Sequence, residues 1–433
     1  MPLIRLDDPP ADPAACTALV QRAFDALRRD GGGRVALAAG RRFVCGTVRL
    51  GPASELHLEP GSVLEASGER AHYQETSFGG EYGGSVGAFL LFAEDADGIA
   101  VTGTGTIDGQ ALRWMQGFRD ADGRFIRDPQ GWRPRGIGFY HCRGVRLESL
   151  TIRDLPQWTV HLTACRDVVC HGLSILNRLD VPNCDGIDPD RCQQVRISAC
   201  HIEAGDDAIV LKNTREFAGR WADASECSDI AITGNTLVST SAALKIGTES
   251  HGAFRRIVAT GNVIRGSHRG IALQLRDSGT IEDVVIADSV VETRRFCPKW
   301  WGNGEAVAIT CVPRSEGVRP GRIRRVRLAN LLCRGENGIV LHGTAASPIE
   351  DLALSQVDVR IAACSRWPGG RLDLRPMQGG EHTGLSERPE AGLIARHIAG
   401  LQLDRVRIAR ADQQPWYGPL YDIAEVTELA QIG

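Results

Sequence analysis

One short phrase recurs along most of this chain and constrains its fold more than any other feature. It alternates apolar residues with polar or small ones, as in VRLESLTI at Val145, VRISACHI at Val195, IVATGNVI at Ile257 and LALSQVDV at Leu352. Alternation with period two is the pattern of β-strands, whose successive side chains point to opposite faces. A second strand pattern that begins with Gly or Ala follows most of these phrases, so we predict an all-β protein.

The spacing of the phrases predicts how the strands are arranged. Those that start at Val168, Val195, Ile230, Ile257 and Val284 are separated by 27, 35, 27 and 27 residues. Fixed phrases joined by loops of variable length are typical of a solenoid, in which each repeat forms one coil. A β-propeller is the alternative, but its blades hold four strands in about 40 residues. We therefore predict one solenoid domain over residues 1–433.

Residues 12–30 are predicted to form a helix before the first coils. Asp12 can cap it, Pro13 suits its first turn, and Gly31 to Gly33 end it. Its apolar residues recur at helical spacing: Ala15, Leu19, Ala23, Phe24 and Leu27. Such a helix would cover the open end of the solenoid, where the first coil otherwise exposes apolar surface.

Composition excludes several classes of partner. The formal net charge is −3 at pH 7, so no surface for nucleic acid is indicated. The 13 cysteines lie singly, without a CxxC pair, which predicts buried thiols and no metal site. The first residues, MPLIRLDDPPADPAAC, lack an apolar run after a basic start, and no stretch reaches the length of a membrane span. We expect a cytoplasmic protein with no membrane contact.

Acidic residues concentrate in two clusters between Asn183 and Lys212. The first cluster holds Asp185, Asp188 and Asp190, and the second is Asp206 with Asp207. If the strands GIDPD and AIVLK stack as neighbours, Asp185 and Asp207 lie about 4.8 Å apart, which is the ordinary inter-strand spacing. Carboxylates that close repel, and the pKa of at least one of them should rise. We expect Asp206 to point away from this pair, across a groove.

Aligning the second strands of the coils predicts a row of side chains at the strand starts. The row reads Asp185, Asp207, Ala242, Arg269, Glu305 and Asn337. Outward positions within the same strands add Asp188, Lys245 and Gln274. This pattern predicts a groove with acids at one end and with bases and amides beyond them. A charged solvent face is the alternative interpretation.

Several motifs resemble glycoside hydrolase family 28, the polygalacturonase and rhamnogalacturonase family of single-stranded right-handed parallel β-helices. The similar stretches cover most of residues 12–345; they are Gly31 to Phe43, GTGTIDGQALRW, RPRGIGFYHC, PNCDGIDPD and AGDDAIVLK. The resemblance implies that Asp206 is the general acid and that Asp185 and Asp207 activate water. It also implies an inverting hydrolase that needs no cofactor and no metal.

Two departures from the family's pattern bear on the substrate. Ser241-Ala242-Ala243 stands in place of the family's GHG, and Ala272-Leu273-Gln274 stands in place of RIK, whose Arg and Lys grip a uronate carboxylate. We therefore expect no strict uronate specificity. The predicted substrate-binding residues are Asn183, Asp188, Lys245, His268, Arg269, Gln274, Arg276, Trp300, Trp301 and Glu305; Trp300 and Trp301 lie in an inserted loop, residues 292–305. Trp114, Trp132, Arg133 and Arg135 are expected to rim the site.

The predicted function is inverting hydrolysis of an α-linked, pectin-type or related plant oligosaccharide, acting from a chain end. Exo action is expected because a cytoplasmic enzyme meets imported fragments, and because the insertions can block one end of the groove. A polysaccharide lyase or epimerase on the same scaffold is one alternative, although it would need a cation and a base that the clustered aspartates do not supply. A non-catalytic carbohydrate-binding β-helix is another. The sequence leaves the sugar, the linkage and the oligomeric state open.

Overall fold

The computed structural model describes residues 2–76, 87–119, 126–129, 131–297, 302–375 and 384–432. The chain forms two compact units. The first unit comprises Met1–Arg119, Phe125–Asp206 and Gly219–Ala224, and the second comprises Asp120–Arg124, Asp207–Ala218 and Ser225–Gly433. Parallel strands build both units, which confirms the predicted all-β solenoid, whereas one domain over residues 1–433 stays a prediction.

Three ladders of parallel strands make up the first unit. The ladder that carries the candidate site, hereafter the site ladder, contains Val48–Arg49, Gly87–Glu94, Arg135–Tyr140, Val160–Thr163 and Ile187–Asp190. The second ladder contains Leu3–Leu6, Gly33–Leu37, Ser54–Leu58, Ala100–Gly103, Arg143–Glu148, Arg166–His171 and Gln193–Ser198. The third contains Arg42–Cys45, Val63–Ala66, Thr106–Asp108, Thr151–Arg153, Ser174–Leu176 and His201–Ala204. Two short strands, Met115–Arg119 and Ile126–Pro129, pair antiparallel.

The recurring phrase forms the second ladder because its apolar positions stack in register. Val145 pairs with Val168, which pairs with Val195, and all three are fully buried. Between the buried positions, Arg146 points outward and is exposed. Each coil therefore adds its apolar residues to a continuous interior, and this burial is the main favourable contribution to folding.

A left-handed residue follows each of the last four strands of the site ladder in the first unit. These residues are Asp95, His141, Ala164 and Arg191, with φ values of 50°, 52°, 55° and 53°. The left-handed region turns the chain sharply out of the extended conformation. The coils of this unit thus leave the site ladder through the same corner.

The N-terminal helix runs over Pro13–Arg29, as predicted, with the Asp12 carboxylate accepting a hydrogen bond from Ala15 N at 2.8 Å. Its buried face consists of Cys16, Val20, Ala23, Phe24 and Leu27. Ala15 is exposed, so the packed face is rotated by one residue from the predicted one in the first turns. Thr17 Oγ1 accepts a hydrogen bond from Gly46 N at 2.9 Å, which ties the helix to the first coils.

The second unit is also built of parallel strands. Its strands are Ile209–Asn213, Glu226–Thr233, Thr236–Ser239, Ala242–Ser250, Ala253–Thr260, Val263–Ser267, Arg269–Leu275, Thr280–Thr293, Glu305–Cys311, Arg322–Gly335, Asn337–His342, Ile349–Ile361, Leu393–Arg410 and Tyr421–Ile432. From Thr280 onward single strands of 13 to 18 residues replace pairs of short ones. Arg371–Asp373 and Leu385–Glu387 form a separate antiparallel pair, hereafter the hairpin.

All thirteen cysteines are free, and every one except Cys364 is buried. This confirms the prediction of buried thiols. Within the described residues, none of the helices has the length and apolar character needed to span a membrane.

Candidate active site

The first unit brings Asp185 and Asp206 together. Asp185 precedes the strand Ile187–Asp190, and Asp206 follows His201–Ala204. A carboxylate oxygen of one lies within 4.8 Å of a carboxylate oxygen of the other. Asp206 is therefore close to Asp185, not across a groove from it as the sequence predicted. Asp185 is buried whereas Asp206 is partly exposed, so of these two carboxylates Asp206 is the more accessible to a ligand.

Asp206 is hydrogen-bonded to Asn183, which is in turn hydrogen-bonded to Arg133. Asn183 Nδ2 donates to Asp206 Oδ2 at 3.3 Å, and Arg133 Nη2 donates to Asn183 Oδ1 at 2.8 Å. Arg133 Nη1 donates to the carbonyls of Pro156 and Pro182, both at 2.7 Å. Burial lowers the pKa of Arg133 to about 10, so it stays charged at neutral pH. Asn183, which was predicted to bind substrate, therefore also donates a hydrogen bond to Asp206.

Asp207 belongs to the second unit, where it is paired with Lys245. Lys245 Nζ donates to Asp207 Oδ2 at 2.6 Å, and Ala242 N donates to Asp207 Oδ1 at 3.0 Å. Burial on its own raises the pKa of Asp207, but Lys245 outweighs it and the pKa lies below its usual range. Asp207 is therefore ionised at neutral pH. Lys245 is engaged with this carboxylate and does not offer a free cation to a substrate.

The predicted row of strand starts exists in the second unit. Ala242 pairs with Arg269, and Glu305 pairs with Asn337. The register of Ile271 with Val307 places Arg269 beside Glu305. Period two was sufficient to predict this row, because parallel strands in one ladder keep their side chains aligned.

Most of that row is buried, which the sequence did not predict. The Arg269 guanidinium binds both carboxylate oxygens of Glu305, at 3.2 and 2.9 Å, and its Nη2 donates to the carbonyl of Asp373 at 3.4 Å. Glu305 also accepts a hydrogen bond from Asn303 N at 2.7 Å. The two charges compensate each other. Arg269 and Glu305 are therefore not available to bind a sugar, contrary to the prediction.

Three further predicted ligands are also buried. His268 Nδ1 lies 3.3 Å from the Thr240 carbonyl, and burial lowers the pKa of His268 to about 4, so the ring is neutral. Gln274 lies within the strand Arg269–Leu275 and is shielded from solvent. Arg276 is buried as well, and its Nη2 donates to the carbonyl of Pro313 at 3.1 Å. Their outward alternation did not make them accessible, since later segments cover this side of the ladder.

The other residues predicted to line the site lie in three different environments. Asp188 is fully buried in the strand Ile187–Asp190, which removes it from a solvent-facing groove. Trp114 and Trp132 pack edge-to-face with ring centroids 5.0 Å apart, in an aromatic cluster that includes Tyr73. They are core residues, not a rim. Trp300 and Trp301 lie outside the described residues.

Comparison with known proteins agrees with the resemblance found in the sequence. A sequence model described as "Glycosyl hydrolases family 28" matches residues 76–247. A probable polygalacturonase from Vitis vinifera is 26% identical over 345 residues, which is 77% of this chain and 68% of that protein. The family-model match contains all three candidate aspartates and the arginines next to them.

Solved structures share the fold. A hyperthermoactive exopolygalacturonase from Thermotoga maritima has a TM-score of 0.68 and 23% identity, covering 89% of this chain and 94% of its own. A family 28 exopolygalacturonase from Yersinia enterocolitica has a TM-score of 0.70 and 17% identity, covering 99% of this chain and 78% of its own. The fold of this chain is the right-handed parallel β-helix. With its aspartates on that scaffold and its sequence relatives, the chain is a glycoside hydrolase that is similar to glycosyl hydrolases family 28 over residues 76–247.

Proposed function

We propose that this chain hydrolyses an α-linked pectin-type oligosaccharide from one end, with inversion at the anomeric carbon. The observation that carries exo action is the hairpin in the second unit. It covers the row of strand starts two coils after Asp207, so that a sugar chain lying along this row cannot continue past Arg269. A site closed at one end accepts a chain terminus and excludes the middle of a polymer.

Three contacts support this closure. Gly302 N donates to Asp373 Oδ2 at 2.8 Å, and Asn303 Nδ2 donates to the Arg371 carbonyl at 2.7 Å. Arg269 Nη2 lies 3.7 Å from Asp373 Oδ2. The inserted loop that contains Gly302 is therefore fastened to the hairpin over the start of the strand Arg269–Leu275.

The proposed roles follow from protonation and exposure. Two carboxylates within 4.8 Å of each other favour a state in which one carries a proton. We assign the role of acid to Asp206, because its carboxyl is more accessible than that of Asp185 and can deliver a proton to the glycosidic oxygen. Asp207 is held ionised by Lys245, which suits a base that takes a proton from the attacking water. Asp185 assists in orienting that water.

We further propose that the sugar at the cleaved bond need not be a uronate. Two of the cations that were predicted to bind substrate are engaged with carboxylates, Lys245 with Asp207 and Arg269 with Glu305. Rates on neutral α-galactosides and α-rhamnosides should therefore be within about tenfold of those on galacturonosides, a difference of about 1.4 kcal/mol. A much stronger preference for a galacturonosyl group at that position would refute the proposal.

The test of exo action uses a pectic oligosaccharide labelled at its reducing end. Exo action from the other end releases a small product from the first turnovers and shortens the labelled fragment one step at a time. Endo action instead yields labelled fragments of several sizes at once. An unsaturated product, detected by its ultraviolet absorbance, would indicate a lyase. Activity should persist after treatment with EDTA, because no metal is assigned a role.

A further inference from the structure

Among the residues that the structure describes, Arg135 is a buried cation without an ionic partner. It begins the strand Arg135–Tyr140 and its side chain is 2% exposed. Neither Nε nor Nη1 has a hydrogen-bond partner in the described part of the chain. The two other largest buried arginines of the described chain, Arg269 and Arg295, each bind a carboxylate, at 2.9 and 2.7 Å. Arg135 is thus buried like Arg269 and Arg295, but it lacks the carboxylate that each of them binds.

Aromatic rings fix the Arg135 guanidinium without neutralising it. Its Cζ lies 4.4 Å from the ring centroid of Trp158 and 5.6 Å from that of Phe89. Such contacts compensate for only part of the lost hydration, and a buried charge that lacks a partner is strongly unfavourable. Stacking also holds the planar guanidinium in one orientation, as recognition of a planar carboxylate requires.

The register of the site ladder puts Arg135 in line with Asp185. Ile137 pairs with Val160, which pairs with Ile187, so Arg135, Trp158 and Asp185 occupy equivalent positions in successive coils. Two inter-strand steps separate Arg135 from Asp185, which is about 9.6 Å along the ladder. That distance suits a sugar unit next to the one at which cleavage occurs.

We propose that Arg135 binds the carboxylate of a uronic acid unit next to the sugar at which cleavage occurs. The inference rests on the proposed function, since it assigns a place on the same oligosaccharide. This inference is compatible with the proposal that the cleaved sugar need not be a uronate, because Arg135 would bind the adjacent sugar unit. Trp158 is a positioning residue that holds the guanidinium flat.

The kinetic test compares Arg135→Gln with the unchanged protein on two substrates, an oligogalacturonide and its methyl ester. Loss of one partner of a buried charged pair should lower kcat/KM on the free acid by about 30-fold or more, mainly through KM. On the ester, which carries no charge, kcat/KM should change little. Arg135→Lys, which keeps the charge but loses the planar fork, should be intermediate on the acid. Equal losses on acid and ester would overturn the inference.

A matched control removes the same charge elsewhere in the first unit. Arg153 lies at the surface, where it is paired with Asp108 at 2.7 Å. Arg153→Gln should change neither rate, and a loss on the acid similar to that of Arg135→Gln would mean that overall charge, not a site, decides the rate.

Thermal unfolding supplies a readout that needs no turnover. Without ligand, Arg135→Gln should melt at the same or a higher temperature than the unchanged protein, because it removes an unpaired buried charge. A large fall in Tm would show a structural role and overturn the inference. Sodium galacturonate should raise the Tm of the unchanged protein but not of Arg135→Gln, and galactose should raise neither.

The two proposals fail separately. If no pectic oligosaccharide is cleaved but galacturonate still stabilises only the protein with Arg135, the proposed function is wrong and the uronate site stands. If sodium sulfate stabilises as well as galacturonate does, the site binds anions in general, and the uronate assignment is wrong.

Discussion

At the scale of single residues, the site is defined by how each carboxylate is compensated. Asp207 has a cation of its own in Lys245, whereas Asp206 has a neutral amide, Asn183, that is in turn held by Arg133. Asp207 is therefore kept ionised, and Asp206 is left able to carry a proton. In the proposed mechanism, this difference divides the roles of base and acid between two residues that are adjacent in the chain.

Asp206→Asn should abolish turnover and leave the fold intact. The substitution removes the proton donor at nearly constant volume, and general acid catalysis contributes about 100-fold or more. Asp180→Asn is the control, because Asp180 lies in the same unit and binds Arg178 at 2.9 Å but has no role in the reaction. Near-normal activity of Asp206→Asn, measured at saturating substrate, would exclude it as the acid.

Lys245→Met should shift the pH dependence of kcat/KM. Without Lys245 the buried Asp207 loses its counter-charge, so its pKa rises and the acidic limb of the profile moves to higher pH. In the unchanged protein the ionised Asp207 contributes stability above the ordinary aspartate pKa of about 3.9, and this contribution is lost as the pH falls through the lowered folded-state pKa. Removing one partner of a buried pair also destabilises by about 3–5 kcal/mol.

The result is checked with pH-rate profiles of the unchanged protein, Lys245→Met and Lys245→Arg. Lys245→Arg keeps the charge and should restore most of the acidic limb. An acidic limb that stays in place in Lys245→Met would mean that Asp207 is not the group that limits the rate at low pH.

The first-formed product should have the inverted anomeric configuration. The proposed assignment makes Asp206 the acid and Asp207 the base for a water that Asp185 orients, so that this water attacks the anomeric carbon directly and no glycosyl-enzyme intermediate forms. Proton NMR during the first turnovers identifies the anomer, and retention would overturn both assignments.

At the scale of elements, the strands could be predicted from the sequence, but the segments that bury them could not. Alternation placed Ala242, Arg269, Glu305 and Asn337 in one row, since register depends only on local pattern and coil length. Arg269 of that row contacts Asp373 of the hairpin, which is about 70 residues further along the chain than Glu305. Period two cannot distinguish a solvent face from a face that a distant segment covers.

Helix bounds were predictable because Asp12, Pro13 and Gly31 act locally, through capping and backbone conformation. The long strands after Thr280 were not, because the corner between two short strands disappears without a change in the recurring phrase. Arg135 and Arg133 were placed in a rim loop, since the sequence did not reveal that Arg135 starts a strand.

Asp373→Ala should loosen the hairpin and change the products. Its carboxylate accepts hydrogen bonds from Gly302 N and Arg375 N, both at 2.8 Å, and each buried group left unpaired costs about 1–3 kcal/mol. We expect longer fragments among the early products, resolved by chromatography of labelled oligosaccharides. Glu387→Ala, at the exposed end of the other hairpin strand, is the control. An unchanged product pattern in a folded Asp373→Ala would argue against closure by the hairpin.

At the scale of the whole molecule, the thirteen cysteines predict a simple thiol count. Twelve are buried and only Cys364 is exposed, and burial raises the pKa of most of these thiols, Cys170 and Cys333 among them. A thiol reagent should modify about one group in the native protein and all thirteen after unfolding. Because no disulfide contributes, dithiothreitol should leave Tm unchanged. Several rapidly reacting thiols in the native protein would contradict the burial described above.

The shared corner of the first unit affects how such a chain can change in evolution. Since the coils leave the site ladder through a left-handed residue of nearly the same φ, at Asp95, His141, Ala164 and Arg191, a coil can be duplicated or deleted there without a new turn. Each added coil would supply one more strand start, about 4.8 Å from the last. The number of sugar units that the enzyme can bind would therefore change in evolution by the gain or loss of whole coils.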